Sequence, residues 1–325
     1  MQIIIISIIA FLIAFLIGMI CMPILLPRLR KLKLGQNIRD DGPSEHLKKS
    51  GTPTMGGGVI IIAFLAGSVY FADSPQSIAV ITTTFAFAVL GFIDDYIKVV
   101  KKRSLGLRAW QKMLGQILIS VGFCGFLVSS TGDSSFISSI FVPFSRNIVN
   151  LRGFYLPFIV CVFIGGTNGV NFTDGLDGLN AGVSAIVCLF LGFAAFLFDS
   201  DTMPVIYAFI GALIAFLFFN AHPAKIFMGD TGSLAIGGFI VSVSVLLNIE
   251  IFLLIVGFIY VAEVLSVVIQ VVSYKLRGKR VFLMAPIHHH FELKGHFETR
   301  IVGWFYCITA VMCFLGALGL LVALG

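Results

Sequence analysis

Residues 3–26 read IIIISIIAFLIAFLIGMICMPILL, twenty-four positions with one hydroxyl and no charge. A helix crossing a bilayer core needs about 20 such residues, and it must satisfy every backbone N–H and C=O within itself. The run meets both conditions. It reads as a retained span and not a cleaved leader, since no basic start precedes it and no small-residue cleavage pattern follows.

Outward from this segment, nine further apolar windows lie near 54–72, 77–93, 113–130, 154–170, 180–198, 203–220, 233–247, 251–273 and 301–323. The window at 233–247 is short and leans on a Gly-rich start. The whole chain of 325 residues is 58% hydrophobic and only 12% charged, with a mean hydropathy of +1.03. A soluble fold of this size needs a polar exterior that such a composition cannot supply. The expected fold is one all-α polytopic membrane domain over residues 1–325, with about ten transmembrane helices.

Charge gives the orientation. Of the 22 lysines and arginines, 20 fall in the loops after spans 1, 3, 7 and 9, and only Arg146 and Arg152 lie on the other side. By the positive-inside rule the basic side is cytoplasmic, so ten spans place both termini outside. The net charge of +6 belongs to loops beside anionic headgroups and not to a nucleic-acid surface. Cys21, Cys124, Cys161, Cys188, Cys307 and Cys313 form no CxxC pair and read as reduced filler. The outer loops are short except 131–153, which suits a small hairpin or a surface helix. Candidate chemistry therefore sits on the cytoplasmic side.

Acids are the conspicuous groups there, because a carboxylate in an apolar chain is costly unless a cation or ligand pairs with it. Asp94 and Asp95 end the third span and point about 100° apart on a helix, so one can meet a metal while the other meets a different partner. The bland alternative is two solvated acids balanced by Lys98 and Lys101. Asn171, Asp174 and Asp177 are spaced i, i+3, i+6, which stacks them on one side if the turn is helical. The glycines between them let a ligand approach the backbone, although a plain Asp-Gly turn reads the same way. In Gly229-Asp230-Thr231-Gly232-Ser233, a helix start offers free N–H groups to phosphate beside a carboxylate suited to Mg²⁺, or else a simple N-cap. The P-loop and EF-hand spacings are both absent.

Span 9 carries Glu263, Ser266, Gln270 and Ser273 as a polar stripe. An unpaired Glu at mid-bilayer costs roughly 2.5–3.5 kcal/mol, so this helix is expected to line a cavity or groove. His288, His289 and His290 cannot all ligate one metal from a single helix face. They suit phosphate binding or proton transfer, or a surface run.

Together these motifs, with Gly51-Thr52-Pro53-Thr54-Met55-Gly56-Gly57, Asp94-Asp95-Tyr96 and His288 through Glu292, resemble the polyprenyl-phosphate hexosamine-1-phosphate transferases over essentially the whole chain. Within them the GTPTMGG run and the histidine loop resemble the phospho-N-acetylmuramoyl-pentapeptide branch. The resemblance implies a multi-pass enzyme of the bacterial cytoplasmic (inner) membrane, a homodimer with a Mg²⁺-dependent cytoplasmic site. It implies UDP-N-acetylmuramoyl-pentapeptide and undecaprenyl phosphate as substrates, with lipid I and UMP as products, in peptidoglycan synthesis.

By the same resemblance Asp230 is the principal Mg²⁺ ligand, with Asp94 and Asp95 near the metal and the reacting phosphates, and His288 is a catalytic histidine. Lys49, Lys112, Asn171, Asp174, Gly175, Leu176, Asp177, Asn220, Phe227, Gln270, His289 and His290 form the substrate-binding set, with Phe227 stacking on uracil and Lys48 able to exchange with Lys49. The expected chemistry is direct attack by the lipid phosphate on the β-phosphorus with Asp94 as proton acceptor, the alternative being a covalent aspartyl-phosphate. Two other functions are weighed: the same transfer from UDP-N-acetylglucosamine, which the histidine loop and the GTPTMGG run disfavour, and a transporter, against which no internal repeat is visible and the polar residues cluster on the cytoplasmic side.

Overall fold

A computed structural model describes residues 1–31, 51–100, 106–131 and 138–325. The helices are α1 (Gln2–Lys31), α2 (Gly57–Ser68), α3 (Pro75–Val100), α4 (Ala109–Thr131), α5 (Tyr155–Thr173), α6 (Leu179–Leu197), α7 (Met203–Asn220), α8 (Gly229–Leu246), α9 (Leu253–Val256), α10 (Phe258–Arg277), α11 (Ile287–Leu293) and α12 (Glu298–Leu324). Among the described residues nine of these are long and apolar enough to cross a membrane, and the chain is an all-α polytopic membrane protein. All six cysteines are free.

The second expected span is shorter than its apolar window. Residues 53–57 are drawn off to pair with a distant loop: Phe227 N–H donates to the Pro53 carbonyl at 2.8 Å, and Gly56 and Gly57 donate to Phe227 and Met228 at 2.9 Å. Helix α2 therefore starts only at Gly57. The ninth span is interrupted. Gly257 separates the four-residue α9 from α10, although no polar residue between Ile251 and Val256 announces a break.

Helix α8 lies at the centre. Every residue from Thr231 to Leu246 is buried, which a helix apolar on all faces requires of its neighbours. It packs most extensively on α3 and α5, while α1, α7 and α2 pack together beside it, α12 rests on α6 and α10 on α5. Small residues set the closest approach. A Cβ at Gly91 of α3 would sit 2.1 Å from the Asp230 carbonyl oxygen, so only glycine lets α3 reach the first turn of α8.

The segment at 131–153 carries a hairpin, β1 (Ser139–Phe141) paired antiparallel with β2 (Ile148–Asn150), Ile140 opposite Val149. Phe141 N–H donates to the Asn248 carbonyl just beyond α8, so the hairpin covers the end of the bundle opposite the start of α8. Phe144 donates to Gly319 near the end of α12, and Gly67 near the end of α2 packs on Ala10 of α1.

Candidate active site

The last two turns of α3, the first of α4, the last of α5 and the first of α8 meet at one end of the bundle. Up-and-down connections bring them there, and the acids sit in those turns. Asp95 is 4% exposed, and both its oxygens are occupied. It accepts from Asp230 N–H at 3.0 Å, Thr231 N–H at 2.9 Å and the Thr231 hydroxyl at 2.6 Å. A helix N-terminus carries free N–H groups and partial positive charge. At α8 the carboxylate of another helix supplies the anion. The expectation that these N–H groups stand free for phosphate is therefore corrected.

The Asp230 side chain faces the other way, into a charged cluster. Its Oδ2 receives Lys98 and Lys112, each at 3.0 Å, and its Oδ1 receives the Asn171 amide at 3.0 Å. Asn171 also donates to Ser233 and accepts from Lys112 at 3.1 Å. Asp94, 2% exposed, pairs with Lys98 at 2.5 Å and accepts Leu107 N–H at 2.7 Å. Oxygens of Asp94, Asp95 and Asp230 all lie within 4.8 Å of one another. Three carboxylates against two ammonium groups leave the cluster with a formal negative charge. Such a cluster can hold a metal ion: its donors are all oxygen, which suits a hard cation. Lys98 belongs to this site, although in sequence it reads as a solvated partner four residues after Asp94.

The loop after α5 divides its residues. Helix α5 ends at Thr173, so the expected stack of three does not extend to Asp177. Asn171 stays with Asp230. Asp174 sits in the field of the same acids: loss of hydration raises its pKa well above the usual carboxylate range, and the charges of Asp230 and Asp95 add to the rise. Asp177 instead meets His222 Nδ1 at 3.2 Å and Ala224 N–H at 2.9 Å, with Glu298 3.3 Å from the same ring nitrogen. Leu176 is buried. The Asn220 amide ties loops together, accepting Gly178 N–H at 3.0 Å and donating to the Ile226 carbonyl at 2.8 Å. Phe227 is half-buried beside this loop, held by its backbone bond to Pro53.

Helix α10 lines a cavity as expected, but its polar stripe faces a folded-back segment instead. Glu263 turns to the returning segment 286–288, Gln270 accepts Val281 and Phe282 N–H and donates to the Phe282 carbonyl, and Ser273 donates to Lys279. A mostly apolar cavity of about 320 Å³ lies instead beside Val261, Val264 and Leu265 of α10, walled also by α5 and α8. The physical reason is that segment 279–288 folds back along the stripe and satisfies it.

The three histidines take separate partners on α11. His288 is buried against Glu263, His289 Nδ1 lies 2.7 Å from Glu292, and His290 Nδ1 accepts Leu283 N–H at 3.1 Å. Desolvation, then Lys294, lowers the His290 pKa. Lys48 and Lys49 lie outside the described residues.

Residues 77–248 match the description of glycosyl transferase family 4. The chain is 47% identical to the phospho-N-acetylmuramoyl-pentapeptide-transferase of Clostridium kluyveri, over 92% of its own length and 94% of the relative's. The enzyme of the same name from Acetivibrio thermocellus is 47% identical over 94% and 93%. That of Clostridium botulinum is 45% identical over 96% and 95%.

Proposed function

The chain belongs to glycosyl transferase family 4, among the phospho-N-acetylmuramoyl-pentapeptide-transferases, and on that premise we propose how its own residues carry the reaction. The activity is transfer of phospho-N-acetylmuramoyl-pentapeptide in peptidoglycan synthesis, giving lipid I. The relatives favour it over N-acetylglucosamine transfer and over transport. In our reading the donor is UDP-N-acetylmuramoyl-pentapeptide and the acceptor undecaprenyl phosphate.

The convergence of Asp94, Asp95, Asp230, Lys98, Lys112 and Asn171 at one end of an apolar bundle carries this reading. A phosphomonoester has its second pKa near 6, so at neutral pH the acceptor is mostly dianionic and already nucleophilic. Its oxygen bonds to the β-phosphorus of the donor, the bond from that phosphorus to the UMP oxygen breaks, and UMP leaves with the electron pair. Asp94 accepts any proton left on the acceptor. Lys98 and Lys112 turn their ammonium groups from Asp230 to the incoming phosphates, offsetting the repulsion between two anions. The loop 171–178, with Asn220, Phe227 and His289 and His290 nearby, orients the nucleotide.

The oxygen-only donors of Asp230, Asp94 and Asp95 fit Mg²⁺, with Asp230 as principal ligand and Asp95 also keeping α8 in place. Bound there, Mg²⁺ would screen the diphosphate charge and stabilise the UMP leaving group. The proposal sets the site toward the cytoplasm of a bacterial inner membrane, supported by the basic loops on that side. The homodimer rests on the resemblance alone.

The test is UMP release by the purified protein with each substrate and Mg²⁺ omitted in turn. Asp230→Asn is expected to fold and to lose turnover by roughly 10³-fold, the scale of removing a group that stabilises a transferring phosphoryl. Near-wild-type turnover in that variant would remove Asp230 from the site. A phosphorylated enzyme that transfers competently to lipid phosphate would replace direct attack by a covalent route.

A further inference from the structure

Glu263 is fully buried, and the transfer scheme gives it no task. Its Oε2 accepts the Ile287 N–H at 2.8 Å, and its Oε1 lies 2.9 Å from His288 Nδ1. The first contact caps the short α11. The second orients an imidazole that is itself only 1% exposed. The other ring nitrogen, Nε2, is buried and has no hydrogen-bond partner among the described residues.

That nitrogen is aimed at the nucleotide loop. A Cβ at Gly175 would lie 2.1 Å from Nε2, so glycine alone lets the ring come up against the backbone between Asp174 and Leu176. An ionised carboxylate can only accept hydrogen bonds. Pairing with Glu263 through Nδ1 leaves Nε2 as the ring nitrogen turned to the loop. An unsatisfied buried polar atom costs about 1–3 kcal/mol, and folds retain such atoms where a ligand or a reaction uses them.

We propose that Glu263 is a positioning residue of the transfer: it fixes the ring and the tautomer of His288, so that Nε2 stands ready beside the loop 174–178. The logic is that of a carboxylate behind a histidine, which sets orientation and tautomer without touching the reactants. The proposal rests on the reading that His288 serves the reaction. It adds a residue that reaches the site only through another side chain.

The obvious rival is that Glu263 merely anchors α11 to α10. Glu263→Gln separates the two, because glutamine keeps an oxygen for Ile287 N–H but turns an NH₂ group on Nδ1 and reverses the tautomer. E263Q is expected to lower kcat by at least about 100-fold, with the donor KM within about threefold and the melting temperature in detergent nearly unchanged. In a His288→Ala background, measured with radiolabelled donor, E263Q is expected to add no further loss. Nitrogen-15 spectra of histidine-labelled protein, with H288A assigning the resonance, are expected to show a proton on Nδ1 in the wild type.

Losses that multiply in the double variant, an unaltered kcat in E263Q, or an unprotonated wild-type Nδ1 would each overturn the proposal. A fully active H288A would instead remove the reading of His288 on which it stands, whatever E263Q does.

Discussion

At the site end of the bundle, Asp95 is buried with three donors on its two oxygens, and Asp230 is ringed by two lysines and an asparagine. At the opposite end, between α8 and α9, Glu250 is 2% exposed, and its one side-chain donor among the described residues is the Tyr155 hydroxyl at 2.5 Å on Oε1. Its Oε2 is buried with no partner among the described residues, at the wall of the apolar cavity. Burial pushes the Glu250 carboxyl up to about 7, and the Tyr155 bond only moderates the rise. The same residue class thus meets two solutions. Where donors are gathered from several helices, charge is balanced by groups that a ligand can take over. Glu250 has no ammonium partner among the described residues, and its carboxyl is eased toward its neutral form instead.

The comparison breaks first at Asp95. Asp95→Ala strips two backbone N–H groups and a hydroxyl of their acceptor at the start of α8. Each orphaned donor costs about 1–3 kcal/mol, so a loss of about 3–5 kcal/mol in stability is expected, together with loss of transfer. Thermal melting in detergent and UMP release check both. A variant that melts like the wild type would mean that the α8 terminus does not depend on α3, and the contrast with Glu250 would fail.

Why Asp95 does this could not be read from sequence. Its partners are Asp230 and Thr231, more than 130 positions away, and an acidic pair at a helix end looks the same whether it caps, ligates or is solvated. What sequence carried well was cost. Ten apolar windows show plainly, because a bilayer tolerates no polar substitute, and Asp94, Asn171 and Asp230 stand out where acids and amides are expensive. What it carried poorly was direction. The stripe on α10 is equally consistent with a groove and with a folded-back segment, and only the path of residues 279–288 decides between them. Nothing local marks Lys98, His222 and Glu298 as site residues, because charged residues near loops usually face water. The late start of α2 depends on pairing with Phe227, which no local signal encodes.

A second way to sharpen the comparison is to disturb the approach that gathers the donors. Gly91→Ala puts a methyl group against the Asp230 carbonyl, a backbone atom that no rotamer change can move aside. Overpacking of this kind costs typically 1–3 kcal/mol, and the upper end, about 3 kcal/mol, is expected here. Because the displacement separates Asp94 and Asp95 from Asp230, UMP release should fall more steeply than stability. Equal falls in both would indicate that α3 supports the fold without setting the spacing of the acids.

The smallest effect belongs to Glu250, and its sign follows from linkage. The carboxyl releases its proton near 4.5 in the unfolded chain and near 7 in the folded one. Between those values the folded state binds more protons, so stability falls as pH rises across that window. From pH 5 to pH 7 the loss amounts to about 2 kcal/mol, or about 3 °C in melting temperature for a chain of this length. Glu250→Gln has no proton to lose and keeps an oxygen for Tyr155. The melting temperature of the variant minus that of the wild type should therefore climb over this window, with all other titrating groups cancelling. A difference that stays flat from pH 5 to pH 7 would show that Glu250 is as well compensated as Asp230, and the two ends of the bundle would then differ only in which donors they use.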